Sequence, residues 1–407
     1  MFLRSCPRVL RSGALRSYTR RTQRLETLPA HTLRPIIQPW PRPRHSTTAA
    51  AAKKVFKENP FLVSLASFFI LCGMGGLFYV NYVYSTYIIG AFKMYPEPVA
   101  IKLRRALFYT NQDLQPNQAV KYYRQALEVA DQLGMDPFSN EILGVKFQLA
   151  SLMEKIKQYE KAIDILEIVQ SDCLKWIELF GDKEGNQGKR TRVLGKTVST
   201  SVKLGDLYAI LHEEETAQAR LVWAVETALK EQRRRETEGV KEGEGEWMSN
   251  EGIGGALESL AHNYEEKNQH YLAAPLFLQA LAMIPQPTCH SVVLMNNLSI
   301  SLAQQNPPPT PSEPPQSRSA HISFARAWAE KSLAIAATIE PPLRTEECDT
   351  GCAAATHNLG EFAEMDGDVA EARRRYEEAR GLSGAIGFEE GVRNAEAGLK
   401  RLKGRDE

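Results

Sequence analysis

Residues 254–287, GGALESLAHNYEEKNQHYLAAPLFLQALAMIPQP, decide how this chain folds. The stretch contains two apolar segments with helical spacing, and a short polar segment, EEKNQ, separates them. Small and large side chains occur at set places in the two segments, at Ala261, Tyr264, Ala273, Phe277 and Ala280. Two helices cross closely only where a small side chain lies at the contact and a bulky neighbour fills the groove beside it. The stretch therefore predicts a pair of antiparallel helices.

The same spacing occurs in units that begin near residues 100, 143, 198, 254, 292 and 353. Alanine occupies the twentieth position of every unit, at Ala119, Ala162, Ala217, Ala273, Ala325 and Ala372. The pattern resembles the 34-residue tetratricopeptide repeat (TPR), in which each unit is a helical hairpin and the hairpins stack into a superhelix. We therefore predict an all-α TPR superhelix of six units over residues 98–386. The residues expected to pack its hairpins are Ala119, Ala162, Gly205, Tyr208, Ala217, Ala261, Tyr264, Ala273, Phe277, Ala280, Gly360, Ala372, Tyr376 and Ala379.

The units are longer than the repeat requires, and the extra residues are predicted to form insertions at 181–190, 236–246 and 306–319. The acidic 236–246 segment is expected to be disordered or a frayed helix end. Prolines in 306–319 favour an exposed, extended loop. Residues 387–407 are predicted to supply a final amphipathic helix and a tail, because the outermost unit of a repeat array otherwise exposes an apolar face.

Residues 1–57 carry ten arginines and three lysines but one acid, whereas the remaining 350 residues have a net charge of −11. Several arginines recur at helical spacing among apolar residues, at Arg4, Arg8, Arg11 and Arg16. An Arg-rich, acid-poor amphipathic segment is typical of a mitochondrial presequence. We predict a presequence and linker over 1–57, and a disordered basic tail is the alternative.

No charged residue occurs from Phe61 to Ala91, a run longer than the roughly 20 residues that cross a bilayer. Tyrosines cluster towards its end, as in the aromatic belt of a membrane interface. We predict a single transmembrane helix within 58–92. Lysines precede this segment at 53, 54 and 57, and only Lys93 follows it closely. The positive-inside rule then predicts that the N-terminus faces the mitochondrial matrix and that the repeats face the intermembrane space.

Charge and motifs limit the possible functions. A body with a net charge of −11 would repel a phosphate backbone, so nucleic-acid binding is not expected. The sequence contains no phosphate-binding glycine motif, no H-E-x-x-H and no G-x-S-x-G. We therefore expect a protein that is not an enzyme and that binds no cofactor or metal.

The sequence holds six cysteines, at Cys6, Cys72, Cys173, Cys289, Cys348 and Cys352. Their spacing does not indicate a disulfide framework. Cys348 and Cys352, with His357 after them, match no common zinc pattern. The intermembrane space supports oxidation, so a local disulfide between Cys348 and Cys352 is one interpretation, and two free thiols are the other.

In TPR proteins the first helix of each unit lines the concave side, so its groove-facing positions are candidate protein-binding residues. These positions include Phe147, Ser151, Glu154, Asp206, Glu258, His262, Glu265, His357, Glu361 and Glu364. The carboxylates predict an acidic C-terminal half of the groove, and a solvated face without a ligand is the alternative. The Lys, Arg and Asn cluster that binds acidic chaperone tails in some TPR grooves is absent, so docking to cytosolic chaperones is not expected.

The presequence, the span, the junction PEPVAIKLRRALFYTN at 96–111 and the repeats together resemble the fungal TPR subunit of the mitochondrial inner-membrane i-AAA protease. The resemblance covers most of residues 55–400. It implies an adaptor that binds misfolded or unassembled proteins and presents them to the protease, together with the other adaptor subunit of that complex. A TPR assembly factor for a respiratory-chain complex shares this layout and is the alternative.

Overall fold

The computed structural model describes residues 53–54, 56–284, 287–305 and 318–403. The chain divides into two units, Met1–Val83 and Tyr84–Glu407, and each is described here by itself. Most of the predicted presequence lies outside the described residues, as do Pro285 at the end of the fourth repeat and most of the proline-rich insertion. The expectations for these segments therefore stay predictions.

The described part of the first unit contains a long helix, α1, at Pro60–Val83. None of its residues is buried, and its side chains are apolar on every side. A helix that is apolar all round is suited to a protein core or to a bilayer. The apolar stretch continues into the second unit through a π-helical segment at Tyr84–Ile89 and a 3₁₀ turn at Gly90–Phe92. The whole stretch, Pro60–Phe92, is long and apolar enough to cross a membrane.

The second unit consists of helices in its described part, which contains no strand. In chain order they are α2 (Glu97–Asn111), α3 (Pro116–Gln132), α4 (Asn140–Lys155), α5 (Tyr159–Phe180), α6 (Gln187–Ile210), α7 (Glu214–Glu238), α8 (Asn250–Glu266), α9 (His270–Ala282), α10 (Cys289–Gln304), α11 (Arg318–Ala336), α12 (Glu346–Asp366), α13 (Val369–Ile386) and α14 (Glu389–Lys403). Helices α2 to α13 form six sequential pairs, and each pair packs on the next. The predicted all-α fold of stacked hairpins is confirmed.

Local sequence signals set the ends of several helices. Ser139 caps α4 and Ser249 caps α8, each by accepting a hydrogen bond from a backbone N–H at 3.2 Å. Thr288 begins α10 with a reciprocal capping box. Gly367 ends α12 in the left-handed conformation, which glycine adopts without steric cost.

The alanines at the twentieth position of the six units are all fully buried. The other small packing residues are buried as well, and Phe277 and Tyr376 are fully buried beside them. At Gly205 the helices approach so closely that an added Cβ atom would clash with the Leu221 side chain. Tyr208 and Tyr264 are half-buried. The small residues thus lie where neighbouring helices touch.

The segment 236–246 is not disordered, which was one of its two expected states, and its first three residues belong to a helix end, which was the other. Helix α7 continues to Glu238, and the Glu244 carboxylate pairs with the Arg234 guanidinium at 2.8 Å. Arg235 bonds the carbonyl of Gly245 at 2.9 Å and the hydroxyl of Thr191 at 3.0 Å. Composition indicated disorder because the segment is acidic, but arginines on α7 supply its partners. In the 181–190 segment, Gln187 already begins α6.

Helix α14 packs against the last hairpin. Ala395 and Leu402 are fully buried on this side of the helix. Gly398 lies directly over the Tyr376 ring, where a Cβ atom would come within 2.7 Å of the ring. Helix α14 therefore covers the C-terminal end of the array, as a capping helix must.

A candidate protein-binding groove

The groove face is defined here as the exposed side of the first helices of the second to sixth pairs, α4, α6, α8, α10 and α12. Neighbouring first helices contact each other directly, as α6 does with α8 and α10 with α12. The face is therefore continuous between the third and fourth hairpins and between the fifth and sixth hairpins. Among its features are two open clefts and a network of paired charges.

The first cleft lies between α4 and α6 and has a volume of about 390 Å³. Three predicted residues, Phe147, Ser151 and Glu154, line it together. Buried Leu166 and Leu207 form apolar walls of this cleft. Other polar residues at the cleft are Lys196, Ser199, Thr200 and Lys203. Lys203 pairs with Glu154 at 2.7 Å. The cleft offers apolar contact beside hydroxyl and charged groups, a combination that suits a polypeptide segment.

The second cleft lies between α6 and α8 and has a volume of about 520 Å³. Asp206 and His262, both predicted groove residues, line it with Ile210 and Glu266. Burial raises the pKa of the Asp206 carboxyl. The two clefts share α6 as a wall, so an extended ligand could follow the face from one to the other.

A chain of alternating carboxylates and imidazoles crosses the C-terminal half of the groove face. His290 bridges Glu258 on α8 and Glu347 on α12, with both nitrogen–oxygen distances at 2.9 Å. His262 continues the chain, 3.7 Å from Glu258 and 3.2 Å from Glu265. The acidic half predicted from sequence is thus largely paired, and the pairs link three successive hairpins.

The network shifts the pKa of its members. Burial alone would lower the pKa of His262, but hydrogen bonds to Glu258 and Glu265 raise it to about 9. A hydrogen bond to Glu258 raises the pKa of His290 to about 9, with support from Glu347. Burial alone would raise the pKa of Glu258, but the two histidines lower it to about 2. Both histidines are therefore charged at neutral pH.

We expect the repeats to lose stability as the pH rises above neutral. A histidine whose pKa is higher in the folded state stabilises fully below its unfolded value of 6.5, and that contribution disappears as pH passes about 9. Thermal unfolding between pH 7 and pH 9.5 should show a falling midpoint. The fall should be smaller in His290→Gln. An equal fall in His290→Gln would contradict a stabilising role for the network.

The remaining predicted groove residues, His357, Glu361 and Glu364, lie on α12 of the last hairpin. They contact helix α14 or Tyr376 of α13. Glu364 is only 9% exposed, accepts a hydrogen bond from the Tyr376 hydroxyl at 2.8 Å, and pairs with Arg401 of α14 at 3.1 Å. Glu361 lies 3.7 Å from the same guanidinium and 3.5 Å from His357. These carboxylates hold the capping helix in place, which the repeat register did not indicate.

A disulfide joins Cys289 at the start of α10 to Cys348 at the start of α12. The interpretation that pairs Cys348 with Cys352 is therefore wrong, and so is the interpretation with two free thiols, because, of these two cysteines, Cys348 is bonded and Cys352 is free. The bonded pair lies next to the His290–Glu347 contact on the same two helices. A covalent bond and an ion pair thus link the fifth and sixth hairpins at the same end.

His290, Glu347 and Cys289 are the residues of this region that the sequence analysis missed. His290 and Cys289 lie just before residue 292, where the fifth unit begins, and therefore fall outside its register. Glu347 likewise precedes the sixth unit. The repeat register assigns faces only within a unit, so it carries no signal for these residues. Within the described residues, no cluster of His, Cys, Asp and Glu could hold a metal ion.

No family model matches the chain. A TPR repeat-containing protein of Schizosaccharomyces pombe is 27% identical to it over 317 residues, which cover 76% of this chain and 79% of that protein. Among solved structures, the chain is similar to the nearly identical TPR-like repeats of a Podosopora anserina protein described as a kinesin light chain. That match has 16% identity and a TM-score of 0.41, and covers 62% of this chain and 99% of the other. A tetratricopeptide repeat protein from Parabacteroides merdae matches with 11% identity and a TM-score of 0.28, over 74% and 99% of the two chains.

Two observations agree on the fold. The described helices pair into successive hairpins that pack on buried alanines at the positions the repeat pattern requires. The sequence is similar over three quarters of its length to a protein described as containing TPR repeats. The chain therefore has the fold of a tetratricopeptide-repeat protein.

Proposed function

We propose that this chain is an inner-membrane adaptor of mitochondria that binds misfolded or unassembled proteins and presents them to the i-AAA protease. One observation carries the proposal: a groove face with two open clefts occurs on the same chain as a helix that is long and apolar enough to cross a bilayer. TPR folds are scaffolds for protein–protein contact and generally do not catalyse reactions. The adaptor needs only binding at the groove and anchoring in the membrane.

The disulfide supports a location in the intermembrane space. Disulfides persist in oxidising compartments and are rare where thiols are kept reduced. The Cys289–Cys348 bond lies in the repeats, which supports a topology with the repeats on an oxidising side of the membrane. The basic, acid-poor segment 1–57 and the lysines before the apolar helix favour the same topology, with the N-terminus in the matrix.

Affinity purification in mild detergent tests the partner. We expect the tagged chain to recover the inner-membrane AAA protease and its other adaptor subunit. Recovery of respiratory-chain subunits without any AAA protease would overturn the proposal and favour the assembly factor.

A variant of the first cleft tests the site. Phe147→Asp should reduce recovery of unassembled client proteins because it places a charge in the apolar part of the cleft. Recovery of the protease should be unchanged if the apolar helix makes that contact. Ile168→Asp is the matched control, since Ile168 is exposed on α5 of the same hairpin, outside the cleft. Equal losses in the two variants would contradict binding at the cleft.

A further inference from the structure

Helix α2 exposes an apolar stripe that its own hairpin leaves uncovered. Val99, Leu103 and Ala106 are buried against the neighbouring helix, whereas Ile101 is 40% and Phe108 is 50% exposed. Residues 101, 105 and 108 follow one another at helical spacing and so share a face. This face, called the α2 stripe below, consists of Ile101, Arg105 and Phe108.

More apolar surface flanks the α2 stripe. Met94, just before the helix, is 70% exposed, and Leu114, just after it, is 49% exposed. The opposite end of the array is covered by α14, whose Leu402 is fully buried. Terminal repeats normally present a polar or capped outer face. Several large apolar side chains exposed along and beside one helix indicate a contact surface.

The charge around the α2 stripe is positive. Residues 93–132 contain six basic and four acidic side chains, whereas residues 133–407 have a net charge of −12. Arg105 lies over the Tyr122 ring at 5.7 Å, and Lys102 donates to the amide oxygen of Gln125 at 3.0 Å. The carboxylate of this helix, Glu97, pairs with Arg104, and no ion pair among the described residues involves Lys93, Lys102 or Arg105. The surface therefore combines exposed apolar groups with cations that are free to meet an anionic partner.

The α2 stripe also lies close in sequence to the apolar stretch. Phe92 ends that stretch, and α2 begins five residues later at Glu97. Five residues span at most about 18 Å. The connection is packed. The centroids of the Phe92 and Tyr95 rings lie 6.2 Å apart, and the Arg104 guanidinium carbon lies 5.8 Å from the centroid of the Phe92 ring. A bilayer that holds the end of the stretch would thus be within reach of α2.

We propose that the α2 stripe lies on the surface of an anionic membrane, with Ile101 and Phe108 at the boundary of headgroups and acyl chains and Arg105 among the headgroup phosphates. This inference rests on the proposed membrane anchoring. Amphipathic helices with aromatic, aliphatic and basic residues bind such surfaces through apolar burial and attraction to anionic lipid. A protein ligand is the other occupant to consider, but the free cations and the short connection favour lipid.

Hydrogen exchange of the full-length chain in lipid nanodiscs tests the proposal. Discs with 30% anionic phospholipid are compared with discs of zwitterionic lipid alone. We expect amides of Glu97–Asn111 to exchange at least threefold more slowly in the anionic discs, and Arg105→Glu to abolish the difference. Arg233→Glu is the matched control, because Arg233 is exposed on α7, and it should keep the difference.

Other outcomes separate the failures. If the chain enters the discs but α2 exchanges equally in both lipids, the contact with anionic lipid is refuted while the anchoring stands. If α2 is protected in neither disc and becomes protected only when an unfolded client is added, the surface belongs to protein binding and the proposal is overturned. If the chain does not enter discs at all, the anchoring itself fails.

Discussion

Cys289→Ala should lower the free energy of unfolding of the repeats by about 4 kcal/mol, because a bond that closes a loop this long restricts the unfolded chain strongly. The two cysteines are separated by 59 residues in sequence. Both side chains are buried in a small apolar cluster with Val292 and Ala336. Urea denaturation of the oxidised protein, followed by circular dichroism, measures the loss.

Cys352, a free cysteine near the disulfide in sequence, provides the control for this prediction. Cys352→Ala keeps the disulfide and should leave the urea midpoint within a few tenths of a molar of the wild type. Reduction of the wild type should reproduce the Cys289→Ala result. If Cys289→Ala and Cys352→Ala unfold at the same urea concentration, the Cys289–Cys348 bond does not stabilise the native chain.

Phe277→Ala should cost about 3–5 kcal/mol, the range for removal of a large buried aromatic side chain. Phe277 is fully buried in the fourth hairpin. Its ring packs edge-to-face with the His262 ring, and the two ring centroids are 5.1 Å apart. The small side chains around it leave a cavity that the packed helices cannot readily close. The same denaturation experiment measures the effect.

The next residue in the chain offers the control. Leu278 is 49% exposed, so Leu278→Ala should change the stability by no more than about 0.5 kcal/mol. A loss in Leu278→Ala as large as that in Phe277→Ala would show that the repeat register is misplaced. Between them the two variants test the sequence pattern from which the fold was inferred.

The hairpins were predictable because the signal is local and repeated. Where an alanine must lie at a helix crossing, as Ala119 and Ala273 do, its bulky packing partner lies a few residues away in the same repeat. The register therefore specifies both the helices and their buried faces. The C-terminal cap followed from the same reasoning, since Leu399 and Leu402 occur at helical spacing after the last unit.

Contacts between elements that are distant in sequence, or between a helix and a loop, could not be predicted in this way. Cys289 and Cys348 are distant in sequence and meet because α10 and α12 lie side by side. Arg234 and Arg235 hold Glu244 across a loop whose composition alone indicated disorder. The register likewise placed Glu364 on the groove face without showing that Arg401 covers it. Each of these contacts depends on where a second element packs.

Photocrosslinking from the groove face tests the central claim most directly, that this face binds client proteins in the intermembrane space. A photoreactive residue replaces Ser151 in the first cleft, and a control replaces Ile168 on α5 of the same hairpin. In mitochondria that lack the protease activity, the account predicts crosslinks to unassembled inner-membrane or intermembrane-space proteins from position 151 and few from position 168. Equal crosslinking from both positions, or crosslinks from position 151 only to matrix proteins, would contradict it.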